Sequence, residues 1–162
     1  MKNVFVEKLG RIDYQQAWDY QKELVAYNLE VKRQNRAAEG SGEPPIPTQN
    51  FFLFCEHPHV YTLGRNGSQE NLLLSEKELS EKEAVFYKIN RGGDITYHGI
   101  GQVVGYPILD LDHFFTDIGR YVRFLEEAVI RTIAEYGITG GRIKGLSGVW
   151  LDWDGNNPRK IC

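Results

Sequence analysis

Asn90-Arg91-Gly92-Gly93-Asp94-Ile95-Thr96-Tyr97-His98-Gly99-Ile100-Gly101-Gln102-Val103-Val104-Gly105-Tyr106-Pro107 places five glycines, one arginine and one histidine in eighteen positions. So many glycines weaken a strand, because glycine loses the most conformational freedom on ordering and offers no side chain to pack. Arg91 to Asp94 reads as a turn feeding a strand over Ile95 to Tyr97, and strand composition resumes from Gly101 to Leu109. The pattern is strand, glycine loop, strand. Glycine lets backbone approach a ligand closely and expose amides to a carbonyl or phosphate oxygen. Arg91 adds a fixed cation, and Thr96 and His98, two apart, share a side of the strand with Asp94. A second reading fits the same residues equally well: the glycines serve bulges in a twisted sheet, and His98 is a core histidine with its hydrogen bonds satisfied.

Upstream, Val4 to Leu9 reads as a short strand, and Asp13 as the N-cap of a helix over Tyr14 to Arg36. Ala17, Trp18, Gln21, Leu24, Val25 and Val31 follow the spacing of one helical face. Ala37 to Gln49, with Gly, Ser and three prolines, is a loop. Phe51 to Cys55 is a buried central strand that delivers Glu56, His57 and Pro58 at its end. Val60 to Leu63 makes another strand before the turn Gly64-Arg65-Asn66-Gly67. Polar residues then dominate to Glu83, and Val85 to Ile89 alternates loosely.

Downstream, Asp117 caps a helix over Ile118 to Tyr136 that ends at Gly137, with Tyr121, Val122, Leu125, Val129, Thr132 and Ile133 on one face. Strand and turn character returns from Arg142, with Gly148 to Trp153, a turn at Asp154 to Asn157 and a strand opening at Lys160. Strands in runs, with helices set apart, indicate an α+β fold.

The block from Arg91 to Ile108 resembles the signature of the lipoyl(octanoyl) transferases, the octanoyltransferase family of lipoate biosynthesis. Glu56-His57-Pro58-His59-Val60-Tyr61-Thr62-Leu63-Gly64-Arg65 is similar to a second block of that family, and the helix with Tyr14, Ala17 and Gln21 to its N-terminal block. Gly148-Val149-Trp150 and Arg159-Lys160-Ile161-Cys162 resemble the strand that ends in the family's catalytic lysine. The resemblance runs from about Val4 to Cys162, with the Ala37 to Gln49 loop as the main insertion.

The resemblance implies an α+β domain, a mixed sheet with flanking helices like the catalytic domain of lipoate- and biotin-protein ligases. It implies transfer of octanoyl from octanoyl-acyl carrier protein to a lysine of lipoyl domains, in 2-oxo-acid dehydrogenase complexes and the glycine-cleavage H protein, with no cofactor. By position, Arg91, Gly92, Gly93, Asp94, Ile95, Thr96, Tyr97 and His98 would line the tunnel for the acyl chain and carrier arm. Lys160 would lower the pKa of a nucleophilic thiol, since an ammonium stabilises the attacking thiolate. Amides near the glycine loop are candidate oxyanion donors. In the family the nucleophilic cysteine lies beyond a further glycine-containing block. Residues 1–162 therefore read as a single octanoyltransferase-like domain lacking its C-terminal part, with no turnover of its own. Cys162 matches a small residue two places after the lysine, and Cys55 reads as a core thiol. An ATP-dependent lipoate-protein ligase and a non-catalytic acyl- or carrier-binding fragment are the alternatives.

Composition narrows the remaining classes. Lys and Arg (19) and Asp and Glu (22) are interspersed, without a basic stripe, which argues against nucleic acid. Met1 to Gly10 has no apolar leader core and no window reaches a membrane span, so a cytoplasmic protein is expected. Two cysteines make no disulfide framework. His57, His59, His98 and His113 lack zinc-like spacing with Cys or carboxylate, so no metal site is expected. Trp150 and Trp153 read as core or edge aromatics, and Asp110 and Asp112 as turn residues.

Overall fold

The computed structural model describes residues 3–162; Met1 and Lys2, the start of the stretch read for a leader, lie outside the described residues. The chain divides into two compact units, one running to Asp110 and the other Leu111–Cys162. The α+β class holds, with strands in mixed parallel and antiparallel pairings.

In the first unit, β1 (Phe5–Arg11) is followed by α1 (Tyr14–Ala37), β2 (Phe51–Glu56), β3 (Val60–Leu63), α2 (Glu76–Glu81), β4 (Val85–Lys88), β5 (Ile95–His98) and β6 (Val104–Ile108). The strands form two three-stranded sheets, in the orders β1-β2-β6 and β4-β3-β5. Phe51, Leu53 and Cys55 alternate with Phe52, Phe54 and Glu56, and the first set is buried. Phe51, Leu53 and Ile108 pack with Tyr20 and Leu24 of α1, so one face of the first sheet is the core face. The aromatic run is thus half-buried in alternation, rather than covered on both sides.

Asp13 caps α1 as the sequence indicates, its carboxylate accepting from the amides of Gln15 and Gln16. The buried stripe of the helix differs from expectation. Val25 is exposed, while Ala17, Asn28 and Val31 are buried. Asn28 belongs inside because its amide donates to the Gln49 carbonyl (2.7 Å) and its oxygen accepts from the Gln49 amide (2.8 Å), which staples the proline-rich loop to the helix. Asn35 does the same for Ile46. Ser75 and Glu78 form a capping box that starts α2 inside the stretch read only as polar.

In the second unit, α3 (Ile118–Ala134) carries its N-cap on Asp117 and stops two residues before Tyr136. Glu126, not an apolar residue, is its buried position, and Thr132 is exposed. A ribbon follows, β7 (Trp150–Leu151) paired with β8 (Arg159–Lys160), with Gly141 bridged to Trp150 on the other side. Val149 is fully buried, and a β-carbon on Gly140 would stand 2.9 Å from it. Gly141 lies under the Trp153 ring, which makes that tryptophan a local cover.

Candidate active site

Two glycine turns meet back to back in the first unit. Gly64 donates its amide to the Asp94 carbonyl (3.4 Å) and Arg65 to the Arg91 carbonyl (2.9 Å). A β-carbon on Gly64 would stand 2.4 Å from the Gly93 carbonyl oxygen and 2.8 Å from that of Arg91, so only glycine allows this approach. Gly93 has φ +87°, a left-handed conformation that side-chain-bearing residues rarely adopt. A valine there would strain the loop itself as well as obstruct a ligand. Gly92, by contrast, has open space where a side chain would project.

Arg91 folds back on its own turn. Its Nη1 donates to the Gly92 carbonyl (2.7 Å), and its Nη2 donates to the Asp94 carbonyl (3.1 Å) and the Thr96 hydroxyl (2.8 Å). The guanidinium fork therefore shapes the loop and leaves its exposed surface carrying positive charge. Asp94 accepts from Asn71 (2.5 Å) and from the Ile95 amide (2.7 Å), and the Asn71 bond chiefly holds its carboxyl below the usual range.

Beyond the loop, β5 sends its side chains two ways. Thr96 and His98 lie opposite Thr62 and Val60, while Ile95 and Tyr97 lie opposite Leu63 and Tyr61. The eight residues Arg91 to His98 thus do not line one surface. Tyr97 bonds His59 Nδ1 (2.5 Å) and, with His59, Tyr61, Lys82 and Ala84, borders a cavity of about 360 Å³. His98 sits on the other face, its ring stacked at 6.3 Å on Tyr14 from the first turn of α1. It is half-buried, and this burial lowers its pKa; Nδ1 donates to Gln102 Oε1 (2.6 Å). Thr62, fully buried on the middle strand, finds no hydrogen-bond partner for its hydroxyl among the described residues.

His57 anchors this face and was legible only as part of a motif. It is wholly buried, with Nδ1 2.9 Å from the Ile12 carbonyl and Nε2 2.8 Å from the Tyr106 hydroxyl. A carbonyl only accepts, so Nδ1 carries the hydrogen, and in the neutral ring Nε2 accepts from Tyr106. Tyr14 packs edge-on against His57 at 5.3 Å and in a tilted contact against Tyr87 at 5.2 Å. Cys55 Sγ lies 3.5 Å from His57 Nε2, but burial pushes the thiol up to about 11, which leaves it a poor nucleophile near neutral pH. Among the described residues no group of three or more His, Cys, Asp or Glu side chains is placed to hold a metal ion, and no helix is long and apolar enough to cross a membrane.

Lys160 lies in the second unit, on the short β8 strand opposite Trp150. Its Nζ stands 5.7 Å from the Trp150 ring centroid. Among the described residues it pairs with no carboxylate, whereas the neighbouring Arg159 is bound to Asp152 (3.0 Å).

Residues 13–162 match the model of the lipoyl protein ligase A/B catalytic domain. The chain is 60% identical to an octanoyltransferase of Christiangramia forsetii, over 99% of its own length and 67% of that relative. It is 58% identical to an octanoyltransferase of Flavobacterium psychrophilum, over 99% of its length and 68% of the relative. It therefore spans about two thirds of these proteins. Among solved structures, the bipartite lipoate protein ligase of Thermoplasma acidophilum superposes with a TM-score of 0.57 at 17% identity, over 99% of this chain and 55% of that one, a likeness of fold.

Proposed function

Because the chain belongs to the lipoyl protein ligase A/B catalytic-domain family, we propose that it is the larger part of an octanoyltransferase domain. The reaction moves octanoyl from acyl carrier protein to a lysine of lipoyl domains. The observation that carries this reading is the 60% identity to an octanoyltransferase across nearly the whole chain. A cytoplasmic location and the lipoyl domains of 2-oxo-acid dehydrogenases and the glycine-cleavage H protein go with it.

In this reading Arg91, Gly92, Gly93 and Asp94 form the rim that meets the acyl thioester, Thr96 and His98 continue it along β5, and Lys160 holds a cysteine as thiolate. The thiolate attacks the carrier thioester carbonyl, a carbon–sulfur bond forms, and the carrier thiol leaves. The lysine amine of the lipoyl domain then attacks the enzyme thioester, loses a proton as the amide forms, and releases the cysteine. The burial of Cys55 argues against it as that nucleophile. We place the nucleophile beyond Cys162, as the resemblance to the octanoyltransferase family implies.

The test is transfer by the full-length form from octanoyl-carrier protein to an apo lipoyl domain, with nucleotide removed by apyrase. Octanoylated lipoyl domain without nucleotide is expected. Product only with ATP and free acid would assign a ligase instead.

A further inference from the structure

Glu126 is a carboxylate at 5% exposure on the inner side of α3, where it persists only if its oxygens are bonded. Arg142 Nε donates to its Oε2 at 2.9 Å, and the backbone amide of Gly148 donates to its Oε1 at 2.9 Å. Arg142 is itself braced, with Nη2 at 3.0 Å from Glu127 Oε2 and 3.1 Å from the Arg123 carbonyl. The hydrogen bond to Glu127 leads the causes that raise the Arg142 pKa. The Gly148 peptide is therefore held from inside the unit by the buried carboxylate of Glu126, itself paired with a partly exposed Arg142.

Gly148 is in turn what the Lys160 side chain lies upon. It has φ +106°, and a β-carbon there would stand 2.6 Å from Lys160 Cε and 2.2 Å from the Cys162 carbonyl oxygen. The lysine stem crosses the bare glycine backbone, with the Trp150 ring near its ammonium. A long flexible side chain otherwise spreads over many rotamers, and a thiol feels an ammonium only as strongly as its time-averaged distance allows.

We propose that Arg142, Glu126 and Gly148 form a relay that sets the course of the Lys160 side chain, making Glu126 and Gly148 positioning residues for the thiol-activating ammonium. This rests on the reading of Lys160 given above. Glu126 orients the Gly148 peptide, and the missing β-carbon leaves room for both the Cys162 carbonyl and the Lys160 stem.

The test uses the full-length form with Gly148→Ala, Glu126→Gln and, as reference, Lys160→Met. Two quantities are followed: the pH profile of acyl-enzyme formation, and the rate at which an amine-acylating reagent labels Lys160, read by peptide mass spectrometry. Glu126→Gln should raise the acid limb of the profile by about one pH unit and change Lys160 labelling several-fold, with cooperative melting retained; Gly148→Ala, which also meets the Cys162 carbonyl and strains a positive φ, should move both readouts the same way with a lower melting temperature. Lys160→Met should raise the limb at least as far. If Lys160→Met moves the limb and neither of the other two does, the relay is overturned while the role of Lys160 stands. If Lys160→Met leaves the limb in place, that role fails, and unchanged Lys160 labelling in the other two variants overturns the relay as well. Arg142→Lys keeps the charge but cannot bridge Glu126 and Glu127 together; it carries the same two readouts should either variant fail to fold.

Discussion

The Gly93 carbonyl oxygen occupies the space where a β-carbon on Gly64 would stand, 2.4 Å away. Two turns distant in sequence are thereby locked as one surface. Gly64→Ala must push the Arg91–Gly93 backbone outward, and a clash with backbone cannot be relieved by a rotamer change. A loss of about 1–3 kcal/mol in stability and a fall in substrate use are expected together, measured by urea denaturation and acyl-carrier binding.

Gly92→Ala separates the two effects. Its side chain would project into open space, and its backbone lies outside the left-handed region. Stability within about 0.5 kcal/mol of the parent is expected, while binding of octanoyl-carrier protein weakens if the loop surface meets the ligand. Unchanged binding and unchanged stability together would return the loop to a purely structural role.

Arg91→Ala removes the donors that hold the Gly92 and Asp94 carbonyls and the Thr96 hydroxyl. Faster amide hydrogen exchange over Gly93 to Thr96 is expected, along with weaker carrier binding. Arg91→Lys should restore the charge but not the exchange protection, because an ammonium cannot span those acceptors as the fork does. Full protection in Arg91→Ala would show the loop to be held by other contacts.

His98 gives a pH dependence. Burial lowers its pKa below the ordinary value of about 6.5, so the unfolded chain takes up its proton at a higher pH than the folded one. Its contribution to stability is thus present above about pH 6.5 and is lost as pH falls through the folded value. Urea midpoints at pH 7.5 and pH 5 should differ less in His98→Asn than in the parent. An equal difference would show that other groups govern the acid limb.

Much of this is legible in the sequence. Asp13 followed by an apolar period gives α1, the short apolar run Phe51 to Cys55 gives β2, and Asp117 gives the start of α3. The partition into two three-stranded sheets is not, because pairing partners are chosen by long-range packing rather than local pattern. Nor are Asn28 and Glu126, polar residues on faces that spacing assigns to apolar ones; each is inside because of a partner distant in sequence, Gln49 for one, Arg142 and Gly148 for the other. Ser75-x-x-Glu78 is a capping-box pattern that would have found α2. In the candidate site the glycines and Lys160 stand out by motif, whereas the return of Arg91 onto its own loop depends on a rotamer that no spacing reveals.

His57 supports the candidate site from below. His57→Ala would leave the Ile12 carbonyl and the Tyr106 hydroxyl without their bonds and open a cavity under Tyr14. A loss of about 2–4 kcal/mol is expected, and Tyr106→Phe should cost about 1 kcal/mol, both read by denaturant midpoint.

The most direct measurement is peptide mapping by mass spectrometry of the full-length form after incubation with octanoyl-carrier protein and no nucleotide. An octanoyl thioester on a cysteine beyond Cys162, lost in Lys160→Met and discharged by an apo lipoyl domain, is the expected result. A stoichiometric octanoyl adduct on Cys55 or Cys162 that passes to the lipoyl domain, or product that forms only with ATP, would contradict it.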